Sequence, residues 1–171
     1  MKKLGKILAP TDLSYLSRAG VRYALQIAKA QSAEVIIYHV IGHEEASPYV
    51  DVYDEDSLCT RAYRVAKDLR AQHQALLEEY IKENFGDLIA GVRIRPEVEM
   101  GTPYRRIVEK AAEEEVGVIV MATHGRTGLL HIGVGSVAKR VVRHAPCPVL
   151  SLRPKKTGND RGRRNELSLG R

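Results

Sequence analysis

Three stretches combine residue types that can do chemistry. Thr123-His124-Gly125-Arg126-Thr127-Gly128 joins glycines to a guanidinium, and Gly133-Val134-Gly135-Ser136 joins glycines to a hydroxyl. Glycine lets a backbone come close to a ligand. If Gly135-Ser136 opens a helix, its first amides and the positive end of its dipole favour an anion, phosphate above all. Ser136 can add a hydroxyl donor or meet a phosphate-bound metal ion, and Arg126 a charge-assisted contact. The third stretch is Pro10-Thr11-Asp12. A carboxylate repels phosphate, but it accepts hydrogen bonds from a sugar or a base. Blander readings stay open: Asp12 and Ser136 can simply cap helices, and Gly125 and Gly128 can simply shape a loop.

Other motifs fail. His124 and His131 could act as general bases, but neither has an evident acidic partner in sequence. His73 falls in an apolar helical stripe and reads as a half-buried core residue rather than a ligand. His144 complements a helix dipole. Gly133 to Ala138 matches G-x-G-x-x-A, yet it follows the fourth predicted strand rather than the first, and no acid stands about 20 residues on. There is no G-x-x-x-x-G-K-[ST], no nucleophile elbow and no zinc spacing. Cys59 and Cys147 are far apart, which fits a reducing compartment and no disulfide framework.

The elements that must position these residues follow from periodicity. Strands are predicted at Leu4 to Ala9, Glu34 to Val40, Arg93 to Met100, Val116 to Ala122 and Pro148 to Leu152. Helices are predicted from Leu13 to Ala30, along the stripe Ala62, Val65, Leu69, Leu76, Leu77, Tyr80 and Ile81, behind Thr102-Pro103, and from Val137 to Ala145. Thr102 suits an N-cap and Pro103 the first helical position. Ile41 to Ser57 reads as a loop. Alternating strand and helix predicts the α/β class: a single doubly wound domain with a five-stranded parallel sheet and helices on both faces. Ligands of such sheets bind beyond the carboxyl ends of the strands, where strand order reverses.

Composition bounds the rest. The chain has 171 residues, 44% hydrophobic and 28% charged, as expected of one globular domain. Its apolar runs reach about seven residues against the roughly 20 of a membrane span. No signal-peptide stretch is visible, so a cytoplasmic location and no membrane partner are expected. The net charge is +6, of which residues 155–171 hold six basic and two acidic side chains, so +4 belongs to them. The expected organisation is a domain over 1–154 and a basic, disordered tail over 155–171. A nucleic-acid role for that tail is the weaker reading, since no aromatic residue is interleaved to stack on bases.

Met121-Ala-Thr-His-Gly-Arg-Thr-Gly, Gly135-Ser136-Val137-Ala138, and His144-Ala-Pro-Cys-Pro-Val-Leu together resemble the universal stress protein family. Ile7-Leu8-Ala9-Pro10-Thr11-Asp12 resembles that family's first strand and acid-bearing loop, and Gly101-Thr102-Pro103 its third-strand turn. The resemblance covers roughly residues 3 to 154. The family's ATP-binding members carry G-x2-G-x9-G-[ST]. Gly125, Gly135 and Ser136 match it, and Ala122 stands where the first glycine would be.

The resemblance implies a Rossmann-like, adenine nucleotide alpha hydrolase-like fold. It also implies a homodimer paired through the last strand, Pro148 to Leu152, with a nucleotide at each subunit's strand ends. Asp12 and Val40 would meet the adenine and ribose, with Pro10 and Thr11 shaping that pocket and Met121 and Ala122 near the ribose. Gly125, Arg126, Gly135, Ser136 and Val137 would cradle the phosphates. ATP or another adenine nucleotide is the expected ligand, with Mg2+ or Mn2+ accompanying the triphosphate and Ser136 able to touch that ion. The expected role is a regulatory or stress-response protein, at most a slow ATPase, with an unidentified protein partner. The alternative is a nucleotide-independent homodimeric interaction module with a vestigial phosphate loop. An enzyme acting on an adenylated substrate, walled by Ile41 to Ser57, is a fold-level analogy only.

Overall fold

A computed structural model describes residues 4–43, 55–123 and 135–153, with side chains from 64 onward in the long second helix. The elements run β1 Lys6–Thr11, α1 Arg18–Gln31, β2 Glu34–Ile41, α2 Glu55–Phe85, β3 Arg93–Met100, α3 Pro103–Glu113, β4 Val118–Ala122, α4 Ser136–His144 and β5 Val149–Leu152. The strands form one parallel sheet in the order β3-β2-β1-β4-β5. This is the doubly wound α/β arrangement read from the sequence.

The period of two sorts the strand side chains between two cores. Ile7, Ala9, Val35, Ile37, Ile41, Val98 and Val120 pack with α1 and α2 on one face. Leu8, Ile36, Tyr38, Val40, Ile119 and Met121 pack with α3 and α4 on the other. β1 and β2 are therefore apolar almost throughout, as strands covered on both faces must be.

Several boundaries differ from the expected ones, each for a local reason. β1 runs through Pro10 to Thr11 rather than ending at Ala9. Its recorded pairing with β4 stops at Leu8↔Ile119, while pairing with β2 continues to Thr11↔His39. The proline thus stands where β1 has only one neighbour. α1 begins at Arg18 instead of Leu13, because residues 13–17 form a tight turn in which Leu13 takes φ 62°. α2 starts at Glu55, inside the stretch expected to be loop, and β2 extends to Ile41. Thr102 precedes α3 with extended backbone and Pro103 opens the helix, yet the threonine side chain makes no capping bond. Its carbonyl instead accepts from Arg105 and Arg106 at 3.0 and 3.1 Å. Gly101, at φ 140°, makes the turn between β3 and α3 in a conformation open to glycine.

β3 forms one edge of the sheet and is guarded by charge. Lys110 of α3 bridges Glu97 and Glu99 at 3.0 and 2.6 Å, and Arg106 pairs with Glu99 and Glu109. Arg95 reaches Glu34, Glu97 and Glu114, and Lys6 meets Glu114 at 2.7 Å. Charged, inward-leaning edge residues discourage another strand from adding there. Among the described residues no helix is long and apolar enough to cross a membrane.

Candidate functional site

Strand order reverses between β1 and β4, so a crevice opens beyond their carboxyl ends. β1 supplies Pro10, Thr11 and the following Asp12. β2 contributes Val40, 8% exposed, and β4 contributes Met121 and Ala122. Val40 and Met121 lie on the α3/α4 face. Gly135, Ser136 and Val137 begin α4 on that same face. Gly125 and Arg126 lie outside the described residues, as do His124, His131 and the basic tail.

Asp12 is held in a small turn. Its Oδ1 accepts from the Ser14 amide at 3.1 Å and from the Ser14 hydroxyl at 2.6 Å. This is an Asx-type turn rather than a helix cap, since α1 starts six residues later. Ser14 uses two of the roughly four acceptor positions that a carboxylate offers. Thr11 points to the opposite face of the sheet. Its buried hydroxyl lies 2.8 Å from Ser17 Oγ and 3.3 Å from the Tyr80 hydroxyl, and it accepts from the Leu13 amide at 3.1 Å. Burial pushes the Tyr80 phenol up against the pull of its bonds to Ser17 and Thr11, so it stays a neutral hydroxyl.

The other lip is built by α4. The Thr123 amide donates to Leu152 O at 2.8 Å, and the Gly135 amide donates to Thr123 O at 2.7 Å. Those two bonds fasten the start of α4 to the ends of β4 and β5. The first intrahelical bond is Lys139 N to Gly135 O at 3.0 Å. The amides of Ser136, Val137 and Ala138 precede it, and no described side chain caps the helix. Such an N-terminus, with an exposed serine on its first turn, is chemically suited to an anion. Gly135 itself sits at φ −56° and ψ 152°, which any residue adopts. Backbone conformation therefore does not demand glycine there.

Ala122 is 8% exposed and is absent from the residues with positive φ, so its backbone suits alanine. Gly20, which the sequence places in the apolar stripe of the first helix, is the neighbour of Ala122 on α1. A Cβ on Gly20 would lie 2.8 Å from Ala122 N and 2.9 Å from Met121 Cα. α1 thus rides directly on the end of β4. The sequence signal was a glycine inside an apolar helical stripe, which costs about 1 kcal/mol against alanine without a packing reason. The polar contacts of Ser17, His39 and Tyr80 escaped the sequence reading. Ser17 and Tyr80 meet at the Thr11 hydroxyl and His39 meets the Thr11 carbonyl, contacts that exist only once β1, β2, α2 and the turn over 13–17 come together. Among the described residues no group of three or more His, Cys, Asp or Glu side chains could hold a metal ion.

The crevice thus has opposed chemistry: a carboxylate at the end of β1 and a donor-rich helix start beyond β4. Residues 3–153 match the universal stress protein family. A universal stress protein of Methanocaldococcus jannaschii is 38% identical over 154 residues, covering 88% of this chain and 84% of the relative. A second from that organism is 28% identical over 156 residues. Its solved structure matches with a TM-score of 0.72, covering 91% of this chain and 99% of that one. A Lactobacillus plantarum universal stress protein matches with a TM-score of 0.69 at 23% identity, covering 90% and 100% of the two chains. A universal stress protein solved in complex with cAMP shares the fold at a TM-score of 0.56 and 19% identity, covering 90% and 100%.

Proposed function

The chain belongs to the universal stress protein family, and from that premise we propose that it is an adenine-nucleotide-binding regulatory protein, with ATP the expected ligand. The observation that carries this reading is the opposed chemistry across the switch-point crevice. Asp12 would accept from the adenosine end, beside Val40 and Met121. The Ser136, Val137 and Ala138 amides and the Ser136 hydroxyl would receive the phosphates. The solution of a protein of this fold with cAMP supports an adenine nucleotide as the ligand class. Mg2+ or Mn2+ would arrive with a triphosphate and neutralise part of its charge, with Ser136 the side chain placed to meet it. The proposed role is regulation, with at most slow ATP hydrolysis.

The chain is proposed to act as a homodimer through β5. This strand pairs with β4 on one side and ends the sheet on the other. Unlike β3, it carries no ion-pair guard among the described residues. A second copy of the strand would cap that edge. A second reading, a dimeric interaction module that binds no nucleotide, rests on Ala122 in place of the motif's first glycine.

Titration calorimetry with ATP and Mg2+, on protein stripped of bound nucleotide, separates the two. Micromolar binding that is lost in Gly135→Val supports the first reading. Absence of heat and of competition at millimolar ATP overturns it in favour of the second.

A further inference from the structure

We propose that Tyr80, His39 and His73 are positioning residues for the nucleotide site, clamping Thr11 by its side chain and by its carbonyl and so fixing where Asp12 stands. The proposal rests on the adenine-nucleotide reading of the crevice. None of the three contributes to either lip described above. Tyr80 and His73 belong to α2, which packs on the face of the sheet opposite α4.

The clamp has two arms. On the side-chain arm, Thr11 Oγ1, Ser17 Oγ and the Tyr80 hydroxyl lie mutually within 2.8 to 3.3 Å. Ser17 Oγ also donates to Ser14 O at 2.8 Å, which ties the cluster to the turn carrying Asp12. On the backbone arm, His39 Nδ1 lies 2.9 Å from Thr11 O. A carbonyl only accepts, so His39 Nδ1 donates. With a neutral ring, His39 Nε2 then accepts from His73 Nδ1, 3.0 Å away, with the ring planes within 5°. The relay runs from α2 through β2 to the last residue of β1. His73 and Tyr80 are seven residues apart, two turns along one helical face, so a single rod carries both arms.

Energetics distinguish this cluster from ordinary core. His39 and Thr11 are 0% and 6% exposed. Buried polar groups cost free energy unless fully paired, and apolar side chains would fill the space with less risk. The cluster also holds strain. Leu13, at φ 62°, adopts a left-handed conformation that is unfavourable for an L-residue. It stays there because its amide is bonded to Thr11 Oγ1. Asp12 therefore lies between a residue clamped twice and a residue pinned in a rare conformation. The carboxylate direction is set from the far side of the sheet.

Tyr80→Phe removes one hydroxyl at nearly constant volume. In nucleotide-free protein its NMR amide signals should shift at Asp12, Leu13 and Ser14. Shifts confined to α2 would overturn the proposal without reference to any ligand. In binding assays the variant should weaken ATP, AMP and adenosine by a common factor of about fivefold, the equivalent of one neutral hydrogen bond. Tripolyphosphate, which reports only the phosphate end, should bind as in the wild type. In an Asp12→Ala background, Tyr80→Phe should then cost nothing, because it acts through Asp12. An equal loss in both backgrounds, or an unchanged ATP affinity in the single variant, would refute the positioning role. His73→Phe, which keeps a ring but removes the donor, should repeat the pattern. A wild type that shows the NMR coupling but binds no ATP would instead sink the nucleotide reading and leave the Thr11 clamp standing.

Discussion

Asp12 and Gly135 stand at opposite lips of one crevice, and their substitution should separate function from stability. Gly135→Val meets no backbone objection at φ −56°, ψ 152°. It trades a fair N-cap for a poor one, at a cost of about 1 kcal/mol. For a chain of this size that lowers Tm by about 2–4 °C. ATP affinity should fall tenfold or more, by an order-of-magnitude allowance for a blocked phosphate approach. Calorimetry and thermal denaturation on one preparation would check both halves, and a large Tm loss with unchanged affinity would contradict the assignment. The places of Asp12, Gly135 and Ser136 were legible in the sequence, the first just after a strand and the other two at the start of a helix. Ser17, His39 and Tyr80 were not. Thr11 and Tyr80 are 69 residues apart, and a tyrosine in an apolar stripe reads as core. His73 reads as core by the same logic, and the structure gives it a partner in His39.

Among the elements, strand-helix alternation was readable because β1, β2 and β4 are apolar on both faces and the helices keep a 3.6-residue stripe. The turn over residues 13–17 was not, because Leu13 and Leu16 continue α1's apolar spacing while hydrogen bonds from the Leu13 and Ser14 amides to Thr11 and Asp12 divert the backbone. The contact between α1 and β4 carries a prediction. Gly20→Ala gains about 1 kcal/mol of helix propensity. Against it, the new methyl would sit 2.8–2.9 Å from the backbone of Met121 and Ala122, which cannot swing aside. Overpacking of this kind costs about 1–3 kcal/mol. A Tm fall of several degrees is expected, and a variant that melts at or above the wild type would show that α1 can retreat. The charged guard of β3 carries another. Hydrogen bonds from Arg95 and then Lys6 hold the Glu114 carboxyl down at about 2 from an ordinary 4.5. Burial works to raise Glu99, but Lys110 and Arg106 outweigh it, and Glu99 is lowered too. Both carboxylates stabilise the fold above about pH 4.5, and that contribution is lost as the pH falls below it, for Glu114 toward about 2. Because Arg95 and Lys6 are more than a third exposed, Glu114→Gln should cost only about 1 kcal/mol at pH 7. It should also flatten the acid limb of a urea-denaturation series between pH 5 and 2. An acid limb as steep as the wild type's would remove Glu114 from the account.

For the whole molecule, fold class was legible from element order, but the strand order β3-β2-β1-β4-β5 was not. Period and composition say which residues are buried, not which strand lies beside which. Assembly and ligand each give one test. Ser151 is exposed on β5, and Ser151→Lys would put like charges near each other on two paired copies of the strand. Sedimentation should show the wild type at twice the chain mass and the variant's dimer about tenfold weaker, an order-of-magnitude figure. A wild-type monomer would end the dimer proposal. A ligand that binds only the native state raises stability, by about 2.7 kcal/mol at a hundred times Kd, so ATP should raise Tm by several degrees. The unequal ladders also make the sheet mechanically uneven. β1 matches β2 over six residue pairs and β2 matches β3 over eight, whereas the β1–β4 ladder holds only Ile7↔Val118 and Leu8↔Ile119. The sheet is two stiff plates joined along a short seam at one end, like a book held near the bottom of its spine. α1 lies across the seam as the binding tape, with Gly20 against the β4 page. A molecule wedged at the open end would be a splint, bridging the two plates where the paired seam between β1 and β4 has already stopped.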